Sequence, residues 1–351
     1  MPLYKGTTEI SSNKLYKAST NIENGYKGTS SFYINQVTIE FASITGLGLT
    51  YTTPTSRTGN PGTSYTSTTF TISGTSGQRL TPSSFAMTNL PSSLSASVTS
   101  GSGSQTLTVT ISGNFPNSSV APITSVVSGV NITTDYNTHW LIVGGGAGAG
   151  SGYVAGGGGG GGVKTSWGSV NGGGQAMGSQ MTLTPNTSYT VTVGAAGNDS
   201  TFNGITATAG SGGGGSTASP RSGGDAGEFG YNGGGASSMY GAGGGGGAGG
   251  SGGSVSNGGG NGGAPVSIDI TGSATNYGSG GSGYTGNYGS GSSTASAYGK
   301  GGNGSGGAGQ QGVVILRLAT SNLGTITGTH TTSTVGSDTV IQWTGNGTYV
   351  A

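Results

Sequence analysis

The sequence of 351 residues has no cysteine, so no disulfide framework is open to it. Charge is nearly absent too: ten Lys and Arg stand against nine Asp and Glu, 5% of the chain, for a formal net charge of +1. Without a basic stripe there is little to meet a phosphate backbone, and no nucleic-acid partner is expected. The two histidines, His139 and His330, read as structural and no cluster has metal-ligand spacing, so neither a metal nor another cofactor is expected. No apolar stretch approaches the roughly 18 residues of a membrane span, and the opening MPLYKGTTEI lacks the apolar segment of a secretory leader. Work outside a cell would then require release by lysis or as part of a larger particle.

What the chain has instead is glycine, 82 residues of it, with Ser and Thr between. Residues 1–36 carry a degenerate repeat, LYKGTTEISSNK, LYKASTNIENG and YKGTSSFYINQ. Its Tyr-Lys pairs (Tyr4 and Lys5, Tyr16 and Lys17, Tyr26 and Lys27) read as strand–turn–strand units that dock the chain to a larger assembly. Residues 37–135 alternate Ser/Thr with Val/Ile/Leu in seven stretches, among them SYTSTTFTIS and QTLTVTISG. Seven short strands at this spacing predict an immunoglobulin-like β-sandwich acting as a spacer.

Residues 136–318 form a third region, in which 64 of the 82 glycines fall between 144 and 312. Interior glycines cost a helix about 1 kcal/mol each and give a sheet no side chain to pack, so neither state suits the runs. The remaining regular conformation is polyglycine II, a left-handed threefold helix with about 3.1 Å rise per residue, whose N–H and C=O groups all point sideways. A bundle of such helices satisfies them, and the missing Cβ lets the backbones close up. The seven glycines 156–162 would span about 22 Å and the thirteen residues 241–253 about 40 Å. Residues 319–351 return to strand–turn alternation and predict a C-terminal β hairpin.

The order of runs and loops predicts a direction of travel. Starting from the apolar strand HWLIV (139–143) and closing at GVVILRL (312–318), the loops fall alternately at a base and at a tip. The base receives 163–209, 236–240 and 264–277, with Trp167, Val170, Tyr189, Val191, Phe202, Ile205, Val266, Ile268 and Ile270 as a small core. The tip receives Tyr153, Arg221, Asp225, Glu228, Phe229, Tyr231, Tyr284, Tyr288 and Tyr298, the candidate receptor-binding residues. Exposed tyrosine suits that role because it offers large contact area at low entropic cost.

Catalytic readings find few parts, and no enzyme is expected. Gly144, Gly146 and Ala149 match the dinucleotide fingerprint formally, but no helix can follow and the next acid is Asp199. Asp225 and Glu228 form a carboxylate pair near Arg221; a solvated loop or a polar sugar contact accounts for them without catalysis.

The phrases YKGTTEI and YKGTSS, WLIVGGGAGAG, SYTVTVGAAG with STFNGITATAGSGGGG, SIDITGSATNYGSGG, GGAGQQGVVILRL and TVIQWTGNGTY together resemble tail-fibre and receptor-recognition proteins of tailed bacteriophages. The likeness is to glycine-rich ones of phages infecting marine bacteria and cyanobacteria. It implies a structural protein of the virion, in contact with other tail or baseplate proteins and open to homotrimeric assembly. Loops of the glycine region would attach the particle to a bacterial surface glycan or outer-membrane protein. Two alternatives stay open: a capsid or tail decoration protein with mechanical duty, since a β segment follows the glycine region, and an ice-binding protein presenting flat Thr/Ala faces.

Overall fold

A computed structural model describes residues 36–45, 49–74, 78–100, 105–118, 120–169, 171–215 and 221–351, together with the short strands Leu3–Lys5, Thr8–Ile10, Gly25–Lys27 and Ser30–Phe32. The described chain is all-β, and its only helical turns are two short 3-10 segments, Gly172–Gly174 and Thr320–Asn322. It divides into two compact units, Met1–Asp135 and Tyr136–Ala351. Of the N-terminal docking residues, Tyr4 and Lys5 lie on a strand paired with Thr8–Ile10, and Tyr26 and Lys27 on one paired with Ser30–Phe32. Tyr16 and Lys17 lie outside the described residues.

In the first unit each of the seven Ser/Thr-alternating stretches contains a strand, the first of them, Val37–Ile39, pairing with Arg57–Gly59. Gln78–Met87, Ile123–Thr134 and Phe41–Thr45 make one sheet, and Leu94–Ser100, Thr106–Asn114, Ser64–Ser73 and Thr50–Tyr51 make another. Alternation explains the layout: Leu107, Val109, Ile111, Phe70 and Ile72 point into one shared core, while Thr106, Thr69 and Ser97 face out.

The second unit is built on a sheet ordered Val163–Thr165, Tyr136–Val143, Val313–Ala319, Asp338–Trp343, His330–Val335, with Met181–Leu183 pairing on the start of the second strand. Its two central strands run antiparallel from His139 opposite Arg317 to Val143 opposite Val313. They read as continuous apolar runs because both faces are covered. Trp140, Ile142, Val314 and Leu316 pack on Val191, Phe202 and Tyr349 of a second sheet. Leu141, Val143, Val313 and Ile315 pack on Val163, Val266, Ile268, Ile270 and Tyr277. Each such side chain, fully buried, contributes about 1.5–3 kcal/mol. Of the base residues named from the sequence, Val191, Phe202, Val266, Ile268 and Ile270 are buried, Trp167, Tyr189 and Ile205 half-buried, and Val170 lies outside the described residues. The strands of 319–351, read from the sequence as a separate segment, complete these two sheets.

From this base the glycine-rich chain runs out and back in straight segments, called rods below, joined to one another by backbone hydrogen bonds. Among the described residues there are twelve: 144–150, 156–162, 208–215, 221–227, 231–235, 243–249, 250–255, 259–264, 278–283, 291–296, 299–304 and 307–312, numbered 1 to 12 in that order. Odd rods leave the base and even rods return. In rod 2 successive N–H groups donate in rotation to rods 3, 6 and 11: Gly156 to Gly214, Gly157 to Gly243, Gly158 to Gly302, then Gly159 to Ser211, Gly160 to Gly246 and Gly161 to Gly299, at 2.8–3.0 Å. Its carbonyls accept, again in rotation, from rods 1, 4 and 9. Rod 6 likewise has six neighbours, rods 2, 4, 5, 7, 8 and 9. The bonds arrange the rods in three rows, 3-4-5, 1-2-6-7 and 12-11-9-8, with rod 10 beside 8 and 9. Glycine purity follows position. A Cβ on any residue of 156–162 would overlap a neighbour's backbone, whereas outer rods place side chains every third residue, as with Ser222, Asp225 and Glu228 or Lys300 and Asn303.

This path corrects the run and loop assignment. Residues 216–232 hold a whole returning rod, and 241–253 is not one run but rods 6 and 7, reversing where Gly247 N–H bonds Gly250 O at 2.9 Å. Rod 10 lies within 284–298, and the run 299–309 turns at 304–306.

Two tyrosines, Tyr277 buried and Tyr136 half-buried, make the base sensitive to alkali. Burial raises Tyr277 from 10.0 to about 12; burial, reinforced by the 2.8 Å hydrogen bond to the Tyr349 hydroxyl, raises Tyr136 further. A pKa raised in the folded state means that the unfolded chain releases its proton first. The stabilisation is therefore complete below pH 10 and is lost as pH climbs through 12. Near-ultraviolet circular dichroism is expected to report loss of the base in that window, and Tyr277→Phe to delay it; an unchanged midpoint would count against the burial argument.

Candidate functional site: a cleft between the distal turns

The base ends of the rods carry much of what was assigned to the tip. Glu228 and Phe229 form the turn between rods 4 and 5, where Lys164 pairs with Glu228 at 2.9 Å and lies 4.8 Å from the Phe229 ring centroid. Phe229 holds the turn at φ 59°, a conformation that a non-glycine residue adopts only when the surrounding structure enforces it. Tyr231 starts rod 5 beside this turn, its N–H bonded to Gly247 O at 3.1 Å. Tyr298 sits against the base core, and its hydroxyl accepts from Gln342 at 2.6 Å. Asp225 lies midway along rod 4, where its Oδ1 accepts from the Gly233 N–H at 2.8 Å. The reason for all five is the same: rods 4 and 10 were read as loops, so the residues on and after them changed ends.

The base also holds a polar brace. Arg317 pairs with Asp338 at 2.9 Å and stacks 4.2 Å from the centroid of Trp167, whose indole N–H bonds Asp269 at 2.8 Å. The His139 ring meets Trp167 edge-on at 4.7 Å.

The remaining residues do come together. Tyr153 and Val154 from the turn between rods 1 and 2, and Arg221 at the start of rod 4, line a cleft of about 310 Å³. So do Thr285, Asn287 and Tyr288 from the turn between rods 9 and 10, and Met239 and Tyr240 from the turn between rods 5 and 6. Tyr284 belongs to the same end, paired with Ala155 and Ser290 in a three-stranded patch, but is half-buried and does not line the cleft. Met239 and Tyr240 were missed because 236–240 had been placed at the base; the third-residue recurrence of Ser222, Asp225 and Glu228 is the signal that would have revealed rod 4 and moved them.

Tyr153, Met239, Tyr240 and Tyr288 are 58%, 64%, 46% and 57% exposed. Large apolar side chains left this open, and gathered from separate turns, are the mark of a contact surface. Tyr240 and Tyr288 meet edge to face with centroids 5.8 Å apart. The Tyr153 ring lies across Gly286, where any Cβ would strike it, and its hydroxyl donates to Asn287 Oδ1. Arg221 Nη1 donates to Met239 O at 3.1 Å. Aromatic faces, one cation and an amide are recognition chemistry.

No family model, curated protein or solved structure matches the chain.

Proposed function

We propose that the chain is a structural protein of a phage virion, a tail-fibre or adhesin subunit that attaches the particle to a bacterial surface receptor through the distal cleft. The observation that carries the reading is the sorting of side chains along the rods: aliphatic cores at one end, four exposed Tyr and Met side chains converging at the other. In this reading the rods are polyglycine II helices, supported by the threefold rotation of donors along rod 2. The first unit is an immunoglobulin-like spacer, supported by its two facing sheets and single core. The N-terminal Tyr-Lys repeats dock to tail or baseplate proteins, and the chain is located on the outside of the virion. The purified full chain, added to host cells ahead of phage, is expected to block adsorption, and antibody against it to mark the distal end of tail appendages in intact particles. Undiminished adsorption, or label spread over the capsid, would overturn the proposal.

A further inference from the structure

We infer that the distal cleft holds the ring of a neutral saccharide by its flat face; this rests on the receptor-binding reading and narrows what the receptor offers. Size limits the occupant. At about 310 Å³ the cleft stands at the small end of the roughly 300–1,000 Å³ typical of small-ligand sites. A protein partner would need a patch of about 800 Å² on each side. A single pyranose, or the end unit of a longer glycan, is the right size.

The lining sets the chemistry. Its buried members offer a ligand little polarity: Val154 is apolar, and the Thr285 hydroxyl accepts from the Tyr288 N–H at 3.2 Å and donates to Gly289 O at 3.3 Å. Charge gives no anchor either. None of the eight lining residues is acidic, and the one cation is committed to the wall: Arg221 Nη1 donates to Met239 O at 3.1 Å, and the residue is engaged beyond that bond. What stays open is aromatic. Tyr240 and Tyr288 come from different turns and meet with their rings inclined at 63°, so the cleft is offered ring surface in two orientations. The C–H groups on the flat side of a pyranose meet the negative face of such a ring and bury apolar surface in the same contact. An acyclic polyol carries the same hydroxyls and has no such side. The exposed phenols of Tyr240 and Tyr288 donate to and accept from sugar hydroxyls. Asn287 adds its NH₂ end, its Oδ1 being held by the Tyr153 hydroxyl. Ring faces beside neutral hydrogen-bonding groups select a sugar by shape and not by charge.

Titration calorimetry of the full chain with cellotriose, maltotriose, β-1,4-galactotriose, trigalacturonate and mannitol tests this. At least one neutral trisaccharide is expected to bind about ten-fold or more tighter than mannitol. Trigalacturonate is expected to bind no tighter than galactotriose, and added salt to leave the neutral affinity unchanged. Tyr240→Ala/Tyr288→Ala is expected to abolish the preference over mannitol and Tyr240→Phe/Tyr288→Phe, which keeps the faces, to retain part of it. Near-ultraviolet circular dichroism confirms that both variants are folded. Tighter binding of trigalacturonate, no neutral trisaccharide ahead of mannitol, or a preference that survives the alanine pair or vanishes in the phenylalanine pair overturns the inference. If the alanine pair fails to attach to host cells while no neutral trisaccharide outbinds mannitol, the ligand class is wrong and the receptor-binding end stands. If that variant attaches normally, both fall together.

Discussion

Replacing Gly160 by alanine is expected to cost the second unit about 3 kcal/mol or more. Gly160 sits on rod 2, donating to Gly246 O and accepting from Gly227 N–H, both at 2.9 Å. A Cβ there would overlap Gly278 O of rod 9. The obstacle is the backbone of Gly278 and Ser279, so no side chain can swing away, and relief requires moving rod 9 off rod 2. Inserting atoms into a packed core costs about 1–3 kcal/mol; each backbone bond stretched in the process adds about 0.5–1.5. Outer positions provide the contrast. At Gly148 and Gly212 the nearest atoms to a new Cβ are 3.7 and 3.6 Å away, ordinary contact distances. Alanine there is expected to be neutral, or to stabilise by about 0.4–1 kcal/mol through the unfolded chain. Urea unfolding followed through Trp140 and Trp343 of the base would measure all three. Equal midpoints for Gly160→Ala and Gly212→Ala would show that the interior rods are not close-packed.

Removing both rings in Tyr240→Ala/Tyr288→Ala is expected to lower attachment to host cells about 100-fold without moving the unfolding midpoint. Buried contact residues of this type cost about 2 kcal/mol or more each on truncation, and values at neighbouring sites do not simply add. Both side chains are exposed, so their loss removes little from the folded unit itself. Glu228→Gln and Tyr298→Phe, at the base end of the rods, are expected to leave attachment unchanged. Flow cytometry of labelled protein on host cells distinguishes the two sets. Equal loss from both would detach the receptor reading from the distal cleft.

The same residues show how far the sequence could be read. Strands whose period is two were plain: SYTSTTFTIS and QTLTVTISG show their buried face directly, and HWLIV and GVVILRL announce a central pair covered on both sides. Rods were legible only where glycine filled them, and that is a matter of burial. Rods 2 and 6 have six neighbours each; rod 2 admits no Cβ and reads as pure glycine, and rod 6 carries one only at Ala248, beside the base core. Rod 4, with a free flank, reads RSGGDAG, and rod 10 reads GSSTAS, so both were taken for loops. Missing rod 4 reversed the parity, and reading rods 6 and 7 as one run restored it; rod 10 and the turn at 304–306 repeated the pattern. The errors cancelled in pairs, so 264–277 and the closing strand fell at the base as expected, while Met239, Tyr240 and Tyr298 were assigned to the wrong ends.

Twelve is an even number, and the chain enters and leaves the rods at the same sheet. Removing or adding one rod would deliver GVVILRL to the far end, away from the strand that it must pair with. Removing a pair leaves the register of that sheet untouched. Divergence in this region is therefore quantised: its unit is an outgoing rod, a returning rod and the turn between them, and each unit gained or lost changes the contact surface by one turn while the foundation stays the same.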